Sequence, residues 1–207
     1  MSLLRVFSRA CLCVVANVAL SLTTCGEELS PPEKNAGFVS LFNGQDFTGW
    51  RFGDESPPKE LPGNWKVEDG VIKVTGGGKP HLASAHEFGD FELRLQWRGV
   101  KAGYNSGLFV RSGTSVGANQ INLAHKSEGA FLGGKVQGAK AVGELQKPAG
   151  EWNDWRVIAV GEKITFWCNE TLAWEGKGFV PAKGYLGLQA EGAAMEFRNI
   201  RIREIKE

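Results

Sequence analysis

The chain has 207 residues, 24 of them basic and 23 acidic, for a formal net charge of +1. That balance gives no electrostatic case for a nucleic acid or an anionic membrane surface as partner. Hydrophobic residues make up 42% and charged residues 23%, which excludes a disordered chain. Glycine, at 28 residues, is about double the usual ~7%, but no Gly-X-Y repeat accompanies it, so collagen is excluded as well.

Residues 1–9 carry Arg5 and Arg9 and no acid, and residues 10–22 (ACLCVVANVALSL) form a mainly apolar run. The run is too short to span a bilayer as a helix, which takes ~20 residues. It predicts a secretory leader over residues 1–25. Leu22-Thr23-Thr24-Cys25-Gly26 resembles a bacterial lipobox, except that Thr24 stands where Gly, Ala or Ser is usual. Both an ordinary signal peptide and a lipoprotein-type one fit. The expectation is an exported protein, periplasmic, outer-membrane-anchored or secreted, that meets a membrane only through an N-terminal lipid. Residues 26–36 are polar, contain Pro31-Pro32, and read as a tether. Cys11, Cys13 and Cys25 lie in the leader, and no CxxC pair follows, which argues against a zinc–thiolate site. Cys168 sits in an apolar strand run and is expected to be buried and inert.

From residue 38 onward short alternating runs are punctuated by Gly, Pro, Asn and Asp. Residues 38–44 (FVSLFNG) read as a short strand. Residues 64–78 read as a hairpin, with Asp69-Gly70 between WKV and VIKV. Strands are predicted at 91–98, 106–113, 120–124 and 135–138. Three more follow within 154–178, joined at Gly161-Glu162 and Asn169-Glu170, and the last two are 185–192 and 195–205. The best helical stretch, 139–147, is weakened by Gly143. About eleven strands at this spacing predict an all-β fold, a sandwich of two antiparallel sheets in a single domain over residues 37–206. Alternation then sorts the faces. Phe91, Leu93, Leu95 and Trp97 point one way; Glu92, Arg94 and Gln96 point the other. Leu108 and Val110 oppose Asn105, Phe109 and Arg111, and Ile121 and Leu123 oppose Gln120 and Asn122. The polar faces thus carry amides, guanidiniums and a carboxylate, the groups that read sugar hydroxyls.

These pieces, in this order, resemble the 3-keto-disaccharide hydrolase domain family. They are Gly37-Phe-Val-Ser-Leu-Phe-Asn-Gly with Gly49-Trp50, then Trp65-Lys-Val-Glu-Asp-Gly, Phe88-Gly-Asp-Phe-Glu-Leu-Arg-Leu-Gln-Trp97 and Asn105-Ser-Gly-Leu-Phe-Val-Arg111. Pro148-Ala-Gly-Glu-Trp-Asn153 with Trp155-Arg156, Gly184-Tyr-Leu-Gly-Leu-Gln189 and Phe197-Arg-Asn-Ile-Arg-Ile-Arg203 complete the set. The resemblance implies a concanavalin A-like jelly roll and an activity on glycosides oxidised to a ketone at C3. It also shows a departure. Where the family's strand after Arg111 reads Glu-x-Gln, this chain has Gln120-Ile121-Asn122.

The chemistry the resemblance implies is removal of the C2 proton, elimination at C1 and addition of water. It needs a base, a group for the enolate oxygen and a proton donor. Glu92 and His125 are the candidate catalytic residues: Glu92 lies on a polar face beside Arg94, and His125 follows the strand that lacks the acid. Arg94, Asn105, Arg111, Gln120 and Asn122 are the candidate substrate-binding residues. Conventional glycoside hydrolysis needs two carboxylates, and the loop acids Glu87, Asp90, Glu128 and Glu191 are the remaining sources of a second. His81 and His86 fall on opposite faces of an extended segment, so no ligand spacing argues for a metal; a divalent ion stays open, and no other cofactor is expected. Trp50, Trp152 and Trp174 lie near turns, where core packing and a sugar platform both fit. The expected partner is an oxidised disaccharide or glycoside. A non-catalytic carbohydrate-binding module and a surface lectin are the alternatives.

Overall fold

The computed structural model describes residues 28–53, 60–114 and 116–206. The predicted leader lies outside these residues. The described chain opens with a short helix, α1 (Pro31–Asn35), followed by β1 (Val39–Ser40), β2 (Trp50–Phe52), β3 (Trp65–Glu68), β4 (Val71–Val74), β5 (Leu82–Phe88) and β6 (Phe91–Gly99). Next come β7 (Tyr104–Asn105), β8 (Gly107–Ser112), β9 (Gln120–Asn122), β10 (Phe131–Leu132) and a 3-10 turn at Gly143–Leu145. The last six strands are β11 (Asn153–Val160), β12 (Lys163–Cys168), β13 (Thr171–Lys177), β14 (Gly184–Leu188), β15 (Glu191–Gly192) and β16 (Met195–Glu204). Among the described residues no helix is long and apolar enough to cross a membrane.

Two large antiparallel sheets hold fourteen of these strands, and β7 pairs with β15 in a small sheet of their own. One has eight strands in the order β13-β12-β11-β6-β16-β4-β3, with β1 also paired to β16; the other has six, in the order β10-β9-β8-β14-β5-β2. The all-β sandwich expected from the alternation is present. Leu93, Leu95, Trp97, Val157, Phe166 and Ile202 from the larger sheet meet Leu82, Leu108, Val110, Ile121, Leu186 and Leu188 from the smaller in one buried core. Each such side chain fully withdrawn from water contributes about 1.5–3 kcal/mol. An aromatic seam runs through this core. Ring contacts link His125 to Tyr104, Tyr104 to Trp97, Trp97 to Trp155, Trp155 to Phe166, and Phe166 to Trp174. Their centroid separations run from 4.7 Å for Trp155–Phe166 to 5.5 Å for Trp97–Tyr104.

Several local expectations are revised. Residues 135–138 form no strand and contribute a single bridge, Gln137 to Lys177. The extended segment that carries His86 is the strand β5, a full seven-residue strand that His81 immediately precedes. The helical candidate at 139–147 reduces to the one 3-10 turn, as Gly143 foreshadows. Within the expected tether, residues 31–35 are helical. Pro31 and Pro32 occupy the first helical positions, and Ser30 and Glu33 form a reciprocal capping box. Trp50 and Trp174 are buried in the core; their indole N–H groups donate to Leu41 O and Gly129 O. The body cysteine, Cys168, is buried, and burial pushes its thiol up to about 12, which makes it inert.

The outward side of the eight-stranded sheet is held by charge. Glu92 on β6 is fully buried. Its Oε1 accepts from Arg94 Nε at 2.9 Å and Arg156 Nε at 2.7 Å, and its Oε2 accepts from Arg203 Nη2 at 2.7 Å. The three arginines stand on β6, β11 and β16, so one carboxylate ties the central strands of the sheet together. Burial pushes the Glu92 carboxyl up, but the hydrogen bonds from Arg156, Arg94 and Arg203 outweigh it and hold the group below its ordinary 4.5. Just beyond the ends of β5 and β14, the Ala190 N–H donates to His81 Nδ1 at 3.2 Å. Burial, helped by Lys79, lowers the His81 pKa below its ordinary 6.5.

Two predictions follow from these groups. Replacing Glu92 with Ala leaves three guanidiniums crowded on a sheet face without their carboxylate, and thermal or urea unfolding should show a loss of about 3 kcal/mol; a change within a few tenths would refute the strut. Acid should destabilise the domain in two steps. His81 has a lowered folded pKa, so the stability it contributes is present above its ordinary 6.5 and fades as pH falls below that value. Glu92 contributes stability above its ordinary 4.5, lost as pH falls through its lower folded value. His81→Gln should remove the upper step from a plot of unfolding free energy against pH and leave the lower one in place.

Candidate active site

The chain between β9 and β11 carries the site. It turns sharply after β9 because Asn122 organises it: Asn122 Nδ2 donates to Ser127 Oγ at 3.0 Å and Ser127 O at 3.2 Å, and Asn122 Oδ1 accepts from the Ala124 N–H at 3.3 Å. The His125 N–H donates to Tyr104 O, which fastens the turn to β7. A second tie, from the Val142 N–H to Glu128 O at 2.7 Å, brings the segment around Gly143 over the turn. Between them lies a cavity of about 420 Å³, lined by Tyr104, His125, Lys126, Glu128, Gly143 and Lys147 among others.

Glu128 is the unusual group here. Its side chain is buried with 1% of the residue exposed. The Tyr104 hydroxyl donates to Oε1 in a short contact. Oε2 is buried and has no hydrogen-bond partner. A carboxylate oxygen left in that state is costly unless something else meets it. Gly143 keeps the space beside it open: a Cβ there would stand 3.2 Å from Glu128 Oε2. Tyr104 is fixed by its edge contact with Trp97 at 5.5 Å, and the His125 ring lies against it at 5.2 Å. Burial, reinforced by Glu128, drives the Tyr104 phenol pKa upward, so it remains a proton donor in its bond to Glu128 across the neutral range. The arrangement offers one acceptor oxygen held by a phenol, an exposed imidazole and two ammonium groups around one cavity. Such a set can take a proton, give one, and meet developing negative charge.

The residues expected to form one cleft are dispersed. His125 lines the cavity. Asn122 lies beneath it and orders its turn. Asn105 is half-buried in β7, opposite Glu191 on β15. Gln120 lies on the outward face of the smaller sheet, over Gly107, and its Nε2 donates to Gln189 Oε1 at 2.9 Å. Glu92 and Arg94 are on the far side of the other sheet, locked in the ion network described above. Their polar face is real, but two polar faces in a sandwich look away from each other, and alternation within single strands does not say which sheet a strand joins. Arg111 is an interior strut. It is fully buried, and its guanidinium donates to Gly89 O, Gly161 O and Asp90 Oδ1 at 2.9, 2.7 and 2.8 Å, which leaves it no reach toward a substrate. Among the described residues no group of three or more His, Cys, Asp and Glu is placed to hold a metal. Nothing in the sequence pattern singles out Tyr104, and Glu128 is one loop acid of four. Their contact spans 24 residues and depends on the Val142 tie, which no local pattern announces.

Comparison with solved structures identifies the fold. A protein of Parabacteroides distasonis ATCC 8503, provisionally named a glycosyl hydrolase, superposes with a TM-score of 0.68 at 22% identity, covering 87% of this chain and 100% of that one. The β-glucanase of Bacillus licheniformis gives 0.57 at 14% identity, over 82% and 99% of the two chains. These likenesses establish the concanavalin A-like sandwich. In sequence, the chain is 37% identical over 92 residues to a 3-keto-disaccharide hydrolase of Bacteroides thetaiotaomicron, a match that spans 40% of this chain and 30% of that protein. The family match extends much further, over residues 37–203, and the chain belongs to the 3-keto-alpha-glucoside-1,2-lyase-like domain family.

Proposed function

We propose that this domain is an exported carbohydrate-active hydrolase that cleaves 3-keto-glycosides, with the cavity between Tyr104, His125 and Glu128 as its active site. The observation that carries the reading is the unpartnered Glu128 Oε2 beside that cavity. Family membership supplies the substrate class.

A ketone at C3 acidifies the C2 hydrogen. Glu128 Oε2 takes it as a proton, and the C2–H electron pair forms the enolate. The enolate then re-forms the C3 carbonyl, a C1=C2 double bond appears, and the C1–O bond to the aglycone breaks with its pair on oxygen. His125 delivers the proton that this oxygen needs. Water adds across C1=C2, hydroxyl to C1 and hydrogen to C2, so the sum is hydrolysis without an oxidant. Lys126 and Lys147 are the cations available to the enolate oxygen. Tyr104 is a positioning residue: it holds Glu128 Oε1 and aims Oε2. Asn105 is the remaining candidate for a sugar hydroxyl near β7.

Turnover of 3-keto-trehalose, with no release from plain trehalose, is the expected result. Glu128→Gln should lower kcat by about 10²–10⁴ while substrate binding persists. Tyr104→Phe should lower it less and move the acid limb of the pH–rate profile. Undiminished turnover in a folded Glu128→Gln protein would remove this site from consideration. A binding-module reading is favoured by one feature, Gln120, an amide tied to Gln189 in the strand where the family's acid is usual. It requires saturable sugar binding by the wild-type protein and no release from any 3-keto-disaccharide tested.

A further inference from the structure

The outward side of the eight-stranded sheet holds a second feature, a pocket that shares no lining residue with the cavity beside Glu128. The register sets Arg94 on β6 directly opposite Arg156 on β11 and also directly opposite Arg201 on β16. Three arginines therefore stand abreast on neighbouring strands. Like charges in such positions repel, so the row needs anions. The protein provides two. Glu92 meets Arg94, Arg156 and Arg203. Glu33, from α1, reaches Arg201 Nε at 2.5 Å and Arg94 Nη1 at 3.8 Å. Four guanidiniums thus share two directly paired carboxylates.

A pocket of about 400 Å³ opens on this row. Arg94, Arg156, Arg201, Trp167, Asp154 and Glu170 line it. Arg156 lies over the Trp167 ring at 4.6 Å. It uses only its Nε on Glu92, so both Nη groups lack a protein acceptor among the described residues. A bulge in β16 between Arg198 and Arg201 interrupts the register beside Arg94. Asp154 and Glu170 complete the wall; Asp154 Oδ1 already accepts from Gln96 Nε2, and Glu170 is exposed on the turn between β12 and β13.

We propose that this pocket is a binding site for an anionic saccharide, a sugar residue carrying a carboxylate or a sulfate ester. The anion sits on the free fork of Arg156 and on Arg94, where charge-assisted hydrogen bonds are strongest. Trp167 offers the apolar wall for the sugar ring. Asp154 and Glu170 accept ring hydroxyls. These two acids also select against a dianion such as a phosphate monoester, so the ligand carries a single charge per residue. The site needs no ketone and no catalytic group, and it would tether the domain to an acidic polymer while the other site works.

Calorimetric titration of the purified protein at low salt tests this with four probes: tri-galacturonate, a sulfated disaccharide, cellotriose and sodium sulfate. The expected result is binding of tri-galacturonate, the sulfated sugar, or both, at least about tenfold tighter than cellotriose and weakened by added salt. Arg156→Gln should lower that affinity about tenfold or more. Trp167→Phe, which leaves the ion network untouched, should also weaken it, and this second variant keeps the test decisive if the first fails to fold. Equal affinity for cellotriose, no effect of either substitution, or no saccharide binding at all would overturn the proposal. So would sodium sulfate matching the sulfated sugar, since that describes a simple anion site. Turnover of 3-keto-trehalose is read separately, so failure here and failure of the active-site assignment are distinct results.

Discussion

Glu92 is the interaction on which the larger sheet depends. Its carboxylate lies on the central strand β6 and accepts from guanidiniums on that strand and on both neighbours, β11 and β16. The apolar side of β6 is locked in the opposite sense, with Leu93, Leu95 and Trp97 in the core. A one-residue slip would send Leu93 into water and Glu92 into the core. Packing and charge therefore enforce the same register from the two sides of one strand. The cost of withdrawing a carboxylate from solvent is met only because three hydrogen-bonded cations surround it.

The cavity proposed as the active site is built on a different principle. It stands on connecting segments rather than on a sheet face, and two kinds of tie hold it. Backbone bonds, such as Val142 to Glu128 and His125 to Tyr104, fix the path of the chain. The Asn122 side chain then fixes the turn. The strands thus position the loops, and the loops shape the cavity, a division common where function sits at the rim of a rigid scaffold. Glu128 Oε2 departs from the usual satisfaction of buried polar atoms beside this cavity, where the proposed reaction would use an unmet oxygen.

Much of this architecture was legible in the sequence. The hairpin around Asp69-Gly70 is there as β3 and β4, and the alternation of 91–97 assigns the buried side of β6 correctly. What alternation could not supply was the identity of the sheet. Glu92, Gln120 and Asn122 all lie on polar faces, but those faces belong to different sheets. Arg111 shows a related gap: a charged residue in a strand reads as outward, yet four carbonyl and carboxylate acceptors from distant segments allow it to be interior. His125 could be placed beside a cleft because it directly follows a strand end. The pairing of Tyr104 with Glu128 could not, since it arises only when β7 and the segment after β9 are folded together.

The aromatic seam has an optical consequence. Tyr104 touches both the cavity and Trp97, and Trp97 in turn touches Trp155, with ring centroids 5.3 Å apart at an interplanar angle of 77°. Two indoles held so close and so nearly perpendicular couple their electronic transitions, and their near-ultraviolet dichroism depends on that fixed geometry. The cavity wall is thus mechanically continuous with a pair of chromophores. A ligand that moves the Tyr104 ring perturbs the spectrum of the core, and the domain carries its own label for occupancy without any dye attached.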